Sequence, residues 1–262
     1  MRYSTIHPLF MSFYSKSLYQ DVGRNWKGIS FVYLLLLLAL CWIPGMVQLH
    51  SAFSDYVTNT APYIVEQVPP IMISNGEVSI DEPEPYFIKD TDGAVMIIDT
   101  TGQFTSLNET EARILLMKTK IIIRESQTET RIIDLSQVNN LLIDQSLINS
   151  WLEVLRDWFA IVIYPFAVLF SFVYRVVQAL IYAAIGILMA KMLRTALTYQ
   201  SLISLAIVAI TPALFLDTIL NFMYMAGPFW NLISFIISMG LLFYAVKANS
   251  EGEIEEPGGV LP

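Results

Sequence analysis

Long apolar runs and mixed stretches alternate along this chain, and their placement predicts its architecture. Ile29 to Val47 carries no charged residue, Ser201 to Leu220 carries only Asp217, and Phe229 to Val246 carries none. Runs of that length and polarity predict membrane-spanning helices. The stretch from Trp158 to Met192 is apolar too, interrupted mainly by Pro165, Arg175, Gln178 and Lys191. As a straight helix it would reach about 52 Å, against about 30 Å of hydrocarbon, so it cannot all be one perpendicular span.

Two topologies follow. In the first, Trp158 to Phe172 lies near an interface and Val176 to Ala190 crosses, which gives four spans. In the second, the run turns near Tyr174 to Gln178 and makes two short spans, five in all. The first delivers Lys191 and Arg194 to the same side as the basic N-terminus, and YRVVQ contains neither Gly nor Pro to make a tight turn.

Between the first span and the later ones the pattern changes to short alternations and turn residues. Strands are expected over Ile71 to Ile80, broken by Asn75-Gly76, and over Ala94 to Asp99, Lys120 to Arg124 and Thr130 to Leu135. Thr91-Asp92-Gly93 and Thr100-Thr101-Gly102 supply turns. Glu109 to Leu116 reads as a short helix capped by Ser106 or Asn108, and Leu141 to Leu155 as an amphipathic helix leading into the membrane. The fold class is therefore an integral membrane α-helical bundle of four, alternatively five, transmembrane spans with an inserted small α+β extracytoplasmic domain. The divisions are a cytoplasmic segment 1–28, a signal anchor 29–47, the α+β domain 48–152, a helical membrane domain 153–247 and a disordered acidic tail 248–262.

Charge sets the expected orientation. Residues 1–28 hold Arg2, Lys16, Arg24 and Lys27 against Asp21 alone, while residues 50–150 hold 15 acids and 6 bases. Basic flanks stay in the cytoplasm, so the N-terminus is expected inside the bacterial inner membrane and residues 48–152 outside. A mean hydropathy of +0.56 with 15% charged residues supports the membrane class. Cys41, the one cysteine, lies within the first span and offers no intramolecular disulfide.

The external PPIMISNGEVSI segment, the AVMIIDTTG turn, the strand-like KTKIIIRES and the multi-span region after them resemble the bacterial DUF1189 family of membrane proteins. That resemblance implies architecture and almost no chemistry. More loosely, IYAAIGILMAKMLRTALTYQSLISLAIVAITPALF is similar to the membrane core of Yip1-like proteins, which are linked to membrane organisation and trafficking.

Chemistry-bearing motifs are sparse. The histidines, His7 and His50, are far apart in sequence, and the chain has no HExxH, GxSxG, P-loop, dinucleotide fingerprint or CxxC. Asp81, Glu82, Glu84, Asp90 and Asp92 are candidates for a weak divalent-cation site, although they miss the calcium-loop spacing and read first as a solvated acidic face. Asp99 reads as a turn-forming residue. No catalytic residue, metal site or cofactor is assigned.

Arg175 and Asp217 form the candidate intramembrane polar pair. Each lies equally far in sequence from Ala196, the centre of the intervening loop, so an antiparallel hairpin brings them to one depth. A charge in hydrocarbon is costly, and pairing lowers that cost. The small residues Ala183, Ala184, Gly186 and Ala190 offer a close-packing surface for this bundle or for a partner. Trp26, Trp42, Trp158 and Trp230 fit interfacial belts.

The functional expectation is a non-enzymatic accessory, scaffold or sensor-like membrane protein. Its partners would be envelope or membrane proteins and the lipid bilayer, with a homo-oligomer compatible and nucleic acid excluded by the acidic exposed domain. A small channel or transporter component using Arg175 and Asp217 is the alternative, and a membrane enzyme acting on lipid or glycan a third.

Overall fold

The computed structural model describes residues 2–90, 93–126, 129–225 and 227–251. It divides into two compact units: one is built on residues up to 49 and from 160 onward, the other is His50–Phe159.

Among the described residues of the first unit, the long helices are α3 (Ile29–Asp55), α5 (Gln145–Met192), α6 (Tyr199–Phe222) and α7 (Trp230–Glu251). Each of these helical segments is long and apolar enough to cross a membrane. The first portion of α3 and the later portion of α5 belong to this unit. The residues at Tyr174 to Gln178 are helical throughout, so the turn required by the five-span reading is not formed. A turn there would orphan backbone N–H and C=O groups that a continuous helix satisfies within itself.

Helix α6 is the buried axis of the bundle, with Leu202 and every residue from Ser204 to Leu214 buried. Against it α5 presents the stripe Ala179, Tyr182, Ala183, Gly186 and Ala190. A Cβ at Gly186 would come within 3.2 Å of Leu202 Cδ2, so glycine permits the close approach. The structure thus uses most of the expected small-residue surface for packing within the bundle; Ala184 points outward and is exposed. The opposite face of α5, including Phe166, Phe170, Val173 and Ile181, is exposed, as a lipid-facing surface requires.

Two further helices precede the spans: α1 (Pro8–Met11) and α2 (Lys16–Asn25). Ser15 caps α2 by accepting from the Leu18 N–H, and the helix packs on α6 and α7. Leu18, Tyr19, Val22 and Trp26 are fully buried there, spaced along one helical face. Trp26 is therefore a core residue and not an interfacial one; its indole N–H donates to Asp21 Oδ2 at 3.3 Å. Burial opposes the charge on Asp21, but donors from Asn25, Arg2, Tyr3 and Trp26 outweigh it and hold the carboxyl below its ordinary range. Toward the other terminus, α7 extends to Glu251, and the remaining acidic tail, residues 252–262, lies outside the described residues.

Among its described residues the second unit contains a short helix, α4 (Ala61–Val65), and two sheets. Strands β1 (Ile71–Ser74), β2 (Glu77–Ser79) and β8 (Asn140–Ile143) form an antiparallel sheet of order β2-β1-β8. Asn75 and Gly76 both have positive φ, the backbone of a tight hairpin, and a Cβ on Gly76 would come 2.8 Å from Ser136 Cα. The second sheet has order β3-β4-β5-β6-β7, from β3 (Tyr86–Asp90), β4 (Gly93–Asp99), β5 (Ile114–Met117), β6 (Lys120–Arg124) and β7 (Thr130–Asp134). Among the described residues only β4 and β5 pair in parallel, joined by a crossover through residues 100–113.

Strand alternation fills both faces of the larger sheet. Ile88, Ile98 and Leu116 join Ile71, Ile73 and Val78 in one cluster. Ile97, Leu115 and Ile122 face the other way, under Leu107 and Ala112 of the crossover. Two expectations are corrected here. Glu109 to Leu116 is not a helix: a 3-10 turn at Leu107–Glu109 leads into β5, whose slot between β4 and β6 overrides local propensity. The amphipathic helix expected from Leu141 starts later, because Leu141 to Ile143 pair with β1 and α5 begins at Gln145.

Candidate functional site

Three helices of the membrane unit line an open-sided cavity of about 380 Å³. Cys41, Trp42, Gly45 and Gln48 of α3 line it, with Ser171 and Arg175 of α5 and Asp217, Thr218 and Asn221 of α6. Leu38, Leu214 and Phe222 complete an amphipathic wall. The helical period brings these groups together: Cys41, Gly45 and Gln48 share one face of α3, while Leu214, Asp217, Thr218 and Asn221 share one face of α6.

The structure brings Arg175 and Asp217 together, with Nη2 and Oδ2 3.9 Å apart. That separation exceeds the roughly 2.7–2.9 Å of a charge-assisted hydrogen bond. The remaining atoms are more tightly engaged. Arg175 Nη1 donates to Gln178 Oε1 at 2.7 Å, and Gln178 Nε2 donates to Tyr182 Oη at 2.8 Å. Asp217 Oδ1 accepts from Trp230 Nε1 at 2.7 Å and from Asn221 Nδ2 at 2.9 Å. The Arg175 guanidinium also lies 5.4 Å from the Tyr174 ring centroid.

The pair lines a second cleft of about 300 Å³, bordered by Tyr174, Gln178, Tyr182, Trp230, Asn231 and Phe235. Arg175 and Asp217 thus contribute to the walls of two neighbouring spaces. Sequence spacing pointed to the two charges, and Gln178 stood out as an interruption of the same apolar run. It did not single out Ser171, Gln48, Thr218, Asn221 or Trp230 as their companions.

The acidic segment of the α+β unit is arranged differently. Glu84 accepts from the Thr100 N–H and, at 2.8 Å, from its hydroxyl. Asp90 accepts from the Gly93 N–H at 3.2 Å, while Asp81 and Glu82 are exposed. Asp92 lies outside the described residues. Among the described residues no three His, Cys, Asp or Glu side chains converge in a way that could hold a metal ion.

Asp99 is fully buried and organises its own turn. Oδ1 accepts from the Thr101 N–H at 2.9 Å, the Thr101 hydroxyl at 2.6 Å and the Gly102 N–H at 3.1 Å; Oδ2 accepts from the Phe104 N–H at 2.6 Å. Burial works against its charge, but these four donors prevail and hold the carboxyl below its ordinary range.

Long apolar helices with an interrupting α+β unit define a polytopic membrane protein. The chain belongs to the DUF1189 family, described as proteins of unknown function, with residues 6–246 matched. It is similar to an uncharacterized protein of Rickettsia prowazekii (strain Madrid E), 25% identical over 131 residues. That similarity covers 44% of each chain, so the match takes in less than half of the relative's length. No solved structure matches the chain.

Proposed function

We propose that this protein is a non-enzymatic accessory or sensor-like component of the bacterial inner membrane. Its N-terminus lies in the cytoplasm, four helices cross the bilayer, and the His50–Phe159 unit faces the envelope. The Lys and Arg bias of residues 1–28 supports that orientation.

The observation that carries the partner-binding role is strand β7. It forms one edge of the five-stranded sheet, and all its residues from Thr130 to Asp134 are exposed, Ile132 at 61% among them. An exposed edge with apolar side chains is a template for another extended strand. The partner is an envelope protein that adds such a segment along β7. Replacing Ile132 with a photo-crosslinking residue in the full-length chain, at native expression, tests this. One discrete hetero-adduct, lost when Ile133→Pro removes the edge, is expected; absence of any adduct overturns the reading.

A second reading is favoured by one specific observation, the position of Arg175 and Asp217 in the walls of two clefts. A channel or transporter component would use them to line a polar path. Reconstituted flux abolished by either Arg175→Gln or Asp217→Asn, with folding intact, would support that role.

A further inference from the structure

We propose that the Arg175–Asp217 cavity binds the head of a zwitterionic phospholipid, its phosphate against Arg175 and its ammonium against Asp217. The argument starts from the incomplete closure of the pair. At 3.9 Å the guanidinium and carboxylate attract one another without sharing a short hydrogen bond. Each is anchored from behind, Arg175 through Nη1 by Gln178 and Asp217 through Oδ1 by Trp230 and Asn221. Among the described residues, Nη2 and Oδ2 are left facing each other, without a hydrogen bond to a further side chain or backbone group. This is an arrangement of opposite charges held apart, with hydrogen-bonding capacity remaining on both.

The cavity's formal charge sums to zero, and that selects the occupant. An anionic headgroup would gain Arg175 but meet repulsion from Asp217, and a simple cation would meet the reverse. A molecule with both signs a few ångströms apart satisfies both side chains at once. Its volume of about 380 Å³ lies within the range of small-molecule sites.

Depth favours a lipid over a free solute as the source of that chemistry. Asp217 lies five residues before the end of α6 at Phe222, about 8 Å along the axis. Hydrocarbon gives way to headgroups near that level of a spanning helix. Leu38, Leu214 and Phe222 add apolar wall beside the polar groups, as an amphiphile requires. The inference is independent of the edge-strand partner, because its readout is lipid retention and not crosslinking.

Native mass spectrometry of the full-length protein in non-ionic detergent, with phosphatidylethanolamine and phosphatidylglycerol added in equal amounts, tests it. Retention should favour phosphatidylethanolamine by about tenfold. Asp217→Asn should abolish the preference, and Arg175→Ala should lower retention of both lipids. Should Arg175→Ala fail to fold, the charge-neutral double variant Arg175→Gln with Asp217→Asn, checked by size-exclusion chromatography, must lose the preference. Equal retention of the two lipids by the unaltered protein overturns the proposal, as does an unchanged preference in Asp217→Asn. In a parallel thermal-shift arm, stabilisation by soluble phosphoethanolamine without any lipid preference would assign the site to a free zwitterion and overturn the lipid.

Discussion

The two units satisfy many of their polar side chains by different routes. In the membrane unit, hydroxyls and charges reach across helices: Ser30 meets Ser204 at 3.1 Å, Tyr33 meets Thr211 at 2.8 Å, Trp42 donates to Ser171 at 2.9 Å, and Arg175 faces Asp217. In the α+β unit, carboxylates turn back on their own neighbourhood, as Asp99 does with Thr101, Gly102 and Phe104, Asp134 with Ser136, and Asp144 with Leu147. A spanning helix consumes its own backbone N–H groups, so its acceptor side chains turn to donors on other side chains, as Asp217 does to Asn221 and Trp230. A sheet with irregular connections leaves backbone N–H groups over, and nearby acids accept from them.

The largest expected effect tests the local route. Asp99→Ala removes the buried acceptor of three backbone N–H groups, those of exposed Thr101 and Gly102 and half-buried Phe104, and should cost about 3 kcal/mol. Thermal unfolding of the full chain, with protease cleavage within His50–Phe159 as the local readout, measures it. A loss under about 1 kcal/mol would sink the account of that turn.

Next comes the cross-helix route. Arg175→Ala strands the Asp217 carboxylate and should destabilise by about 2 kcal/mol, because the pair is partly accessible. The double replacement Arg175→Met with Asp217→Leu should cost less than the single one, since no charge is left behind. Denaturation in mixed micelles ranks the two, and a double variant worse than the single one would contradict this order.

Acid should weaken the α+β unit. The Asp99 carboxyl is depressed in the folded state, so the unfolded chain takes up its proton first as pH falls. Its stabilisation is complete above the unfolded value of about 3.9 and is lost as pH drops from there through the folded value. Protease resistance of the α+β unit should therefore hold from pH 7 to about pH 5 and decline below about pH 4. Asp99→Asn should weaken the unit at neutral pH and flatten that decline.

The smallest effect concerns a single neutral pair. A double-mutant cycle over Tyr33→Phe and Thr211→Val should give a coupling of about 0.6 kcal/mol, the scale found for hydrogen bonds between membrane helices. A coupling indistinguishable from zero would make that contact incidental to packing.

Several elements were legible in the chain because a local pattern writes them. The Asn75-Gly76 hairpin, β4, β6 and β7 follow from alternation and turn residues, and Arg175 and Asp217 come together as their spacing about Ala196 requires. Helix α2 was also readable in principle, since Leu18, Tyr19, Val22 and Trp26 mark a buried face, but its short apolar signal is dominated by the neighbouring span. Strands β5 and β8 were not readable as strands. Ile114 to Met117 and Asn140 to Ile143 are brief segments whose conformation is imposed by pairing: β5 with β4 across a crossover and with the adjacent β6, and β8 with β1 far away in sequence.

By itself the sequence determined the membrane class, the inserted domain and the spacing that lets two charges meet, because hydrophobic length and helical rise are properties of a single segment. Tertiary structure alone decided that α5 runs unbroken through Tyr174 to Gln178, that the N-terminal segment folds onto α6 and α7, and that Gln178, Trp230 and Asn221 hold the two charges apart beside a cavity. Those outcomes depend on which side chains from separate helices meet. A contact between distant segments has no period or composition of its own along the chain, so it is settled only when the helices pack.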